Sequence, residues 1–339
     1  MATGQTIITR KTRSAIFLTL CINPGGEEGV RDGLEKIGGL TTAVGSRAPE
    51  AALAAIVAIG SDAWDRLFTG PRPALLTPFT QLEGPVHTAP ATPADILVHI
   101  KADDMGLCYE LGRQLTEVFG DAVRTQEEVH GFRYFDLRDL TGFVDGTENP
   151  VGQDAIDAIT VGDEDPAFSG GSYVVTQRYV TDFSAWDAIS VEEQENVFGR
   201  TKLDNIEMDD DVKPANSHIA LNVIEDADGN EIDIVRDNMP YGAINGSGDK
   251  GTFYIAYSRG PEVSEEMLRN MFLGDPPGNY DRLLDFTTAV SGAQFFAPPA
   301  EFLEELPSAP PSAVAPEPEP GPEPVADGSL RIGSLRRPD

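Results

Sequence analysis

A repeated rhythm of apolar segments constrains this chain more than any other feature. In its first part, strand-length runs lie at 15–22 (AIFLTLCI), 51–60 (AALAAIVAIG), 95–102 (DILVHIKA) and 129–137 (VHGFRYFDL). Between them, 26–38 and 105–120 (MGLCYELGRQLTEVFG) have helical apolar spacing. The order is strand, helix, strand, and then the same again. The second part repeats it loosely: 172–180, 218–225, 231–239 and 251–259 read as strands, and 183–199 and 264–274 as helices. SVEE predicts a capping box on Ser190, and Gly274 a helix C-cap. Two halves of this kind predict an α+β duplication with antiparallel sheets. With 339 residues, the chain can bury one large core or two smaller ones.

Charge narrows the partners. Fifty-six acids face 25 bases, for a net charge of −31. Such a field repels nucleic acid and anionic membranes and favours cations. Cys21 and Cys108 are far apart in no metal-binding spacing, which fits a reducing cytoplasm rather than a disulfide framework. Arg10, Lys11 and Arg13 before AIFLTLCI imitate a signal peptide, but the run ends in NPGG with no small-residue cleavage site, so it reads as a first strand. No stretch approaches the ~20 apolar residues of a membrane span.

Composition changes after Leu306. PSAPPSAVAPEPEPGPEP (307–324) holds eight prolines in 18 residues. It cannot build a core; extended, it reaches roughly 55 Å. Residues 307–326 therefore read as a linker. The following DGSLRIGSLRRPD (327–339) carries Leu330, Ile332 and Leu335 on a polar, basic background, the pattern of a tethered docking peptide.

The loop GFVDGTENP (142–150) sets Asp145 between Val144 and Gly146. Glycines here call for positive φ or close approach by another group. Asp145 either satisfies backbone N–H groups of a turn or faces a ligand. The four histidines, His87, His99, His130 and His218, include no pair spaced three or four apart, which excludes a histidine-built zinc site. His218 stands apart, in KPANSHIALNVIE. As a strand, this segment puts Ile219, Leu221 and Val223 on one face and His218 on the other. A turn at DADGN (226–230) then brings Asn238 opposite His218, with Arg236 near Ala220 and on the face of Asn238. Two motifs fail. GSGDKG leads into a strand rather than a helix, against a dinucleotide site. DADGNEID has Glu231 where a calcium loop needs glycine.

Together these pieces resemble the dye-decolorizing peroxidases, haem enzymes with a G-x-x-D-G signature, and their B-type subgroup in particular. GFVDGTENP fits the signature. NSHIALN resembles the segment bearing the proximal histidine, IVRDNMPYG that bearing the distal arginine and asparagine, and MFLGDPPGNYDRLLDFTTAVSG the C-terminal region. The resemblance runs from about residue 12 to 304.

It implies two ferredoxin-like halves, 1–150 and 151–306, with one haem b held by the second. It implies His218 as the axial iron ligand, and Asp145, Arg236 and Asn238 on the peroxide-binding face. His218 should then leave the ladder before any strand begins, to make room for the macrocycle. Gly146 and Thr147 would approach the cofactor, and Arg200 and Lys202 are candidates for the propionates. Asp281 or Asp285, one turn apart on an expected helix, would accept the other N–H of His218, with Asp281 favoured. Glu148 and Glu231 are candidates for Mn²⁺, and Trp186, Trp64 or nearby tyrosines for electron transfer. The tail resembles the peptide that targets cargo into encapsulin shells. The implied protein is a cytoplasmic homo-oligomer inside such a compartment, using hydrogen peroxide to oxidise dyes, phenols or other organic reductants. Competing readings are a haem-handling protein that releases iron, a chlorite-dismutase-like haem lyase, against which the G-x-x-D-G loop speaks, and a non-enzymatic metal-binding cargo.

Overall fold

The computed structural model describes residues 4–147, 149–245 and 248–311. The first half contains β1 (Ser14–Ile22), α1 (Glu27–Gly45), β2 (Ala54–Gly60), α2 (Ser61–Leu67), the short pair β3 (Leu82–Glu83) and β4 (Thr88–Ala89), β5 (Ile96–Ala102), α3 (Met105–Phe119) and β6 (Val123–Phe132). The second contains α4 (Gln153–Ile159), β7 (Ser172–Thr181), α5 (Phe183–Trp186), α6 (Val191–Phe198), α7 (His218–Asn222), β8 (Val235–Arg236), β9 (Met239–Gly242), β10 (Lys250–Ser258), α8 (Glu262–Leu273), β11 (Thr287–Ala297) and α9 (Ala300–Glu304).

The long strands form one nine-stranded antiparallel sheet in the order β6-β1-β5-β2-β11-β7-β10-β8, with β9 beside β10. The first half, read in chain order, runs fourth, first, third, second. The second half, β11, β7, β10 and then β8 with β9, runs the same way. This is the ferredoxin-like order, twice. The halves join where Phe295 and Phe296 of β11 pair with Gly60 and Ile59 of β2. The sheet then curls until β6 meets β9: a Cβ on Gly131 would lie only 2.5 Å from that of Met239.

Both faces of β1 are therefore buried, which explains an unbroken apolar run rather than alternation. Ile16, Leu18 and Leu20 pack under α1 and α3. Ala15 and Phe17 face inward, into a core shared with Val174, Phe253, Ile255 and Phe295 of the other half. Phe17 stacks on Phe253 at 4.1 Å between ring centroids.

Four expected elements differ. The strand expected at 218–225 is instead the short helix α7: Ser217 caps it, its Oγ accepting the amide of Ala220. The hairpin turn is real, with Asp226 and Asn230 paired, but beyond it Glu225 and Glu231 form a single bridge. Arg236 pairs with Ala256 of β10 and not with Ala220. The helix expected over 183–199 breaks into α5 and α6, because Ser190 turns extended and caps α6 by accepting the amide of Glu193. The strand expected at 129–137 ends at Phe132. Gly274 ends α8 with φ +90°, its N–H on the carbonyls of Arg269 and Asn270.

Candidate active site

The outer face of β7, β10 and β11, roofed by α7 and α8, carries a cavity of about 1140 Å³ including its open mouth. Its lining includes His218 and Asn222 from α7, Met267, Leu268 and Met271 from α8, Tyr179, Tyr254 and Leu283 below, and Asp145, Gly146, Thr147, Arg200, Arg236 and Asn238 at its polar side.

His218 is the first residue of α7, and the Ser217 cap fixes its direction. Its Nδ1 lies 2.6 Å from Oδ2 of Asp281, a residue with no exposed surface. A carboxylate at Nδ1 selects the tautomer that keeps its proton there and leaves Nε2 with a lone pair. Asn222 donates to the His218 carbonyl at 2.7 Å, and Phe198 packs edge-on against the imidazole. Burial opposes a charge on His218, but Asp281 outweighs it and lifts the imidazole above its ordinary value. Asp281 caps the turn Arg282–Asp285 through the amide of Leu283. That segment is a tight 3-10 turn rather than the expected helix. Asp285 accordingly points elsewhere, to His87 at 3.1 Å and Tyr280 at 3.0 Å.

Asp145 occupies a loop docked onto β8. Asn149 grips the backbone of Arg236 from both sides, accepting its amide at 2.9 Å and donating to its carbonyl at 2.6 Å. Gly146 has φ +68°, and a Cβ there would meet Asn149 Nδ2 at 3.2 Å and Lys11 Nζ at 3.6 Å. Asn238 donates to Asp145 Oδ1 at 3.1 Å while its own Oδ1 accepts the amide of Ile255. Its side chain is thus held at both ends. Arg236 lines the cavity, yet its buried Nε has no partner among the described residues.

Thr147 accepts a hydrogen bond from Asn205, which also binds the Arg200 guanidinium, and both Thr147 and Arg200 line the cavity. Lys202 lies outside the lining: its ammonium donates to Gln194 at 2.6 Å, over the rings of Phe143 and Trp186. Trp186 is buried beside Phe198 and Phe143, whereas Trp64 belongs to the helix-covered core of the first half. Glu231 lines a smaller recess that also touches His218 and Arg236. Glu148 and the tail residues Leu330, Ile332 and Leu335 lie outside the described residues.

Sequence reasoning missed Asp139. It lines the cavity, and burial raises its carboxyl to about 6, against the opposing hydrogen bonds from Thr141. Its only signal was its place six residues before Asp145.

A cavity with a histidine lone pair on one wall and an unpartnered guanidinium N–H and a carboxylate on another suits a flat, acidic, metal-bearing cofactor. Models of the Dyp-type peroxidase N-terminal and C-terminal domains match residues 4–133 and 136–302. The chain belongs to the Dyp-type peroxidase family. It is 56% identical over 336 residues to a dye-decolorizing peroxidase of Rhodococcus erythropolis, covering 99% of this chain and 98% of that one. The encapsulated DyP-type peroxidase from Mycobacterium smegmatis superposes with TM-score 0.90 at 56% identity, over 91% of this chain and all of that one. A Rhodococcus jostii DypB variant in complex with heme superposes with TM-score 0.87 at 50% identity, over 89% and 98%. This Dyp-type peroxidase is a haem-dependent enzyme, and the non-enzymatic cargo reading falls.

Proposed function

We propose that His218 holds the haem iron through the ring nitrogen not used by Asp281, and that Asp145, Arg236 and Asn238 form the peroxide-binding wall. Bound haem supplies the iron at which peroxide is cleaved and from which organic reductants, dyes and phenols among them, are oxidised. The chain's own groups do the rest. Asp281 keeps the proton on Nδ1 and makes His218 a stronger donor. Asp145, as carboxylate, takes a proton from the inner peroxide oxygen and delivers it to the outer one, so that water leaves. Arg236 stabilises the negative charge that develops as the O–O bond breaks; its unpartnered Nε is a donor awaiting an acceptor. Asn238 orients Asp145 through the 3.1 Å hydrogen bond. Arg200 and Thr147, both in the lining, would face the propionates in preference to Lys202, whose ammonium is engaged elsewhere.

The observation that carries this reading is the pairing, across one cavity, of the His218–Asp281 contact with the Asp145–Asn238–Arg236 group. The absorption spectrum of the haem-loaded protein before and after one equivalent of hydrogen peroxide tests it. A ferric Soret band that changes within seconds and returns with a reductant supports the reading. Bleaching to free porphyrin and iron would move the function to haem handling.

Packaging in an encapsulin shell through residues 327–339 and assembly into a homo-oligomer complete the proposal. Support for packaging comes from the docking-peptide pattern and from the encapsulated M. smegmatis relative. Mn²⁺ is proposed as a second reductant: Glu231 and Asp233 line a recess beside His218, and a DypB variant is described in complex with manganese.

A further inference from the structure

Arg236 and Asn238 both line the cavity, so the residue between them faces the other way. Asp237 is 8% exposed and points into the core between the halves. There Lys101, itself 2% exposed, donates to Asp237 Oδ2 at 2.8 Å and to the Ile7 carbonyl at 2.7 Å. Lys11 lies 3.4 Å from the other carboxylate oxygen and donates to the Arg236 carbonyl at 2.8 Å. Both oxygens of Asp237 thus meet cations supplied by the first half. Burial alone would push this carboxyl up; the two lysines outweigh it and hold it well below the carboxylate range.

Stability alone does not call for such a cluster. Taking an ammonium and a carboxylate out of water costs about as much as their attraction returns, and well-packed apolar residues often serve a fold as well or better. What the cluster does is fix three consecutive residues. The ladder pairs Arg236 with Ala256, and β9 begins only at Met239, so Asp237 and Asn238 fall between the named strands. The elements β1 to β6 contribute none of the cavity lining. The first half nevertheless reaches residues 236–238 through Lys101 of β5 and through Lys11, in the segment ahead of β1.

We infer that the Lys101–Asp237–Lys11 cluster is a positioning device for Arg236 and Asn238, through which the half without haem sets the geometry of peroxide cleavage. The inference rests on the roles proposed above for those two residues. Arg236→Ala decides those roles separately: an unchanged peroxide rate there ends the earlier reading, whatever the lysines do.

The test uses haem-loaded Lys101→Met, Asp237→Asn and the double variant. Melting temperature, stopped-flow reaction with hydrogen peroxide, reductant KM and the cyanide dissociation constant are read for each. Each single variant strands a buried charge or donor and lowers the melting temperature. The double variant removes both buried charges, leaving only the partly exposed Lys11, and should regain most of that stability. Its peroxide reaction should stay about tenfold slow or more, with cyanide binding weakened to match and reductant KM unchanged. A peroxide rate that recovers together with the melting temperature overturns the inference. Lys11→Met gives an independent reading should the double variant fold poorly, because Lys11 is 35% exposed in its side chain. Its peroxide reaction and cyanide affinity should each fall about threefold or more at near-normal melting temperature. Unchanged values would overturn the inference equally.

Discussion

The pair that joins His218 to Asp281 has two opposite dependences on pH. In the haem-free protein His218 titrates above its ordinary value. The charged pair therefore adds stability that is complete below pH ~6.5 and is lost as pH rises through the raised value. Haem needs the same nitrogen system neutral, so haem affinity should weaken as pH falls through that value. Asp281→Asn should reduce haem affinity about 10–100-fold at pH 8 and shift the acid limb of a Soret titration downward. Asp139 offers a second test. The fold favours its protonated form, so its contribution is intact below pH 3.8 and is lost as pH rises through about 6. A lift from 3.8 to about 6 corresponds to at most about 3 kcal/mol. Asp139→Asn keeps an oxygen for both Thr141 donors. It should therefore raise the melting temperature at pH 7 and leave it unchanged at pH 4. At this scale the motif residues were legible because each sits in a short, recognisable string. Asp237 was not: its partner Lys101 is 136 positions away, and each alone resembles an ordinary polar residue of a strand.

Local elements show where periodicity stops being informative. The strands β1, β5, β7 and β10 and the helices α3 and α8 are long enough to display their period and were anticipated within a few residues; α1 was anticipated at its start but runs seven residues beyond the expected end. The segment that carries His218 was misread. Ile219, Leu221 and Val223 alternate as a strand would, and a helix of five residues is too short to show a 3.6-residue period. What decides it is Ser217, fully buried, whose hydroxyl supplies the cap. Ser217→Ala should cost about 1 kcal/mol in thermal unfolding and loosen haem binding in the same preparation. Gly199 is tied to the same cap: with φ +84°, a Cβ there would meet Ser217 Oγ at 2.8 Å. Gly199→Ala should accordingly depress haem affinity more than its distance in sequence from His218 would indicate.

For the whole molecule, the excess of acids sets how substrates arrive. With a net charge of −31, oxidation of a cationic dye should show a KM that rises with ionic strength, and an anionic dye the reverse trend. Steady-state assays between 20 mM and 500 mM salt, about a fivefold span of Debye length, resolve the two. Deleting residues 327–339 should abolish loading into an encapsulin shell while leaving peroxide turnover intact; cargo that still loads ends that proposal. The duplication was legible in the order of elements. The closure of both half-sheets around one inner core was not, because it depends on β6 meeting β9 and on Phe17 meeting Phe253 across the halves.

The last helix among the described residues, α9, lies against the first half. Phe302 sits against Trp64 and Phe68, and the backbone of Thr69 donates to Ser308. The chain therefore crosses back as its proline-rich segment begins. A partner that took up the tail as proposed would draw on the molecule from that side, like a lamp hung from its base. None of the residues gripping Phe302 and Ser308 belongs to the cavity lining. Attachment through the tail, as proposed, would therefore leave the surface that exchanges substrate untouched, and a tethered enzyme could work without first letting go.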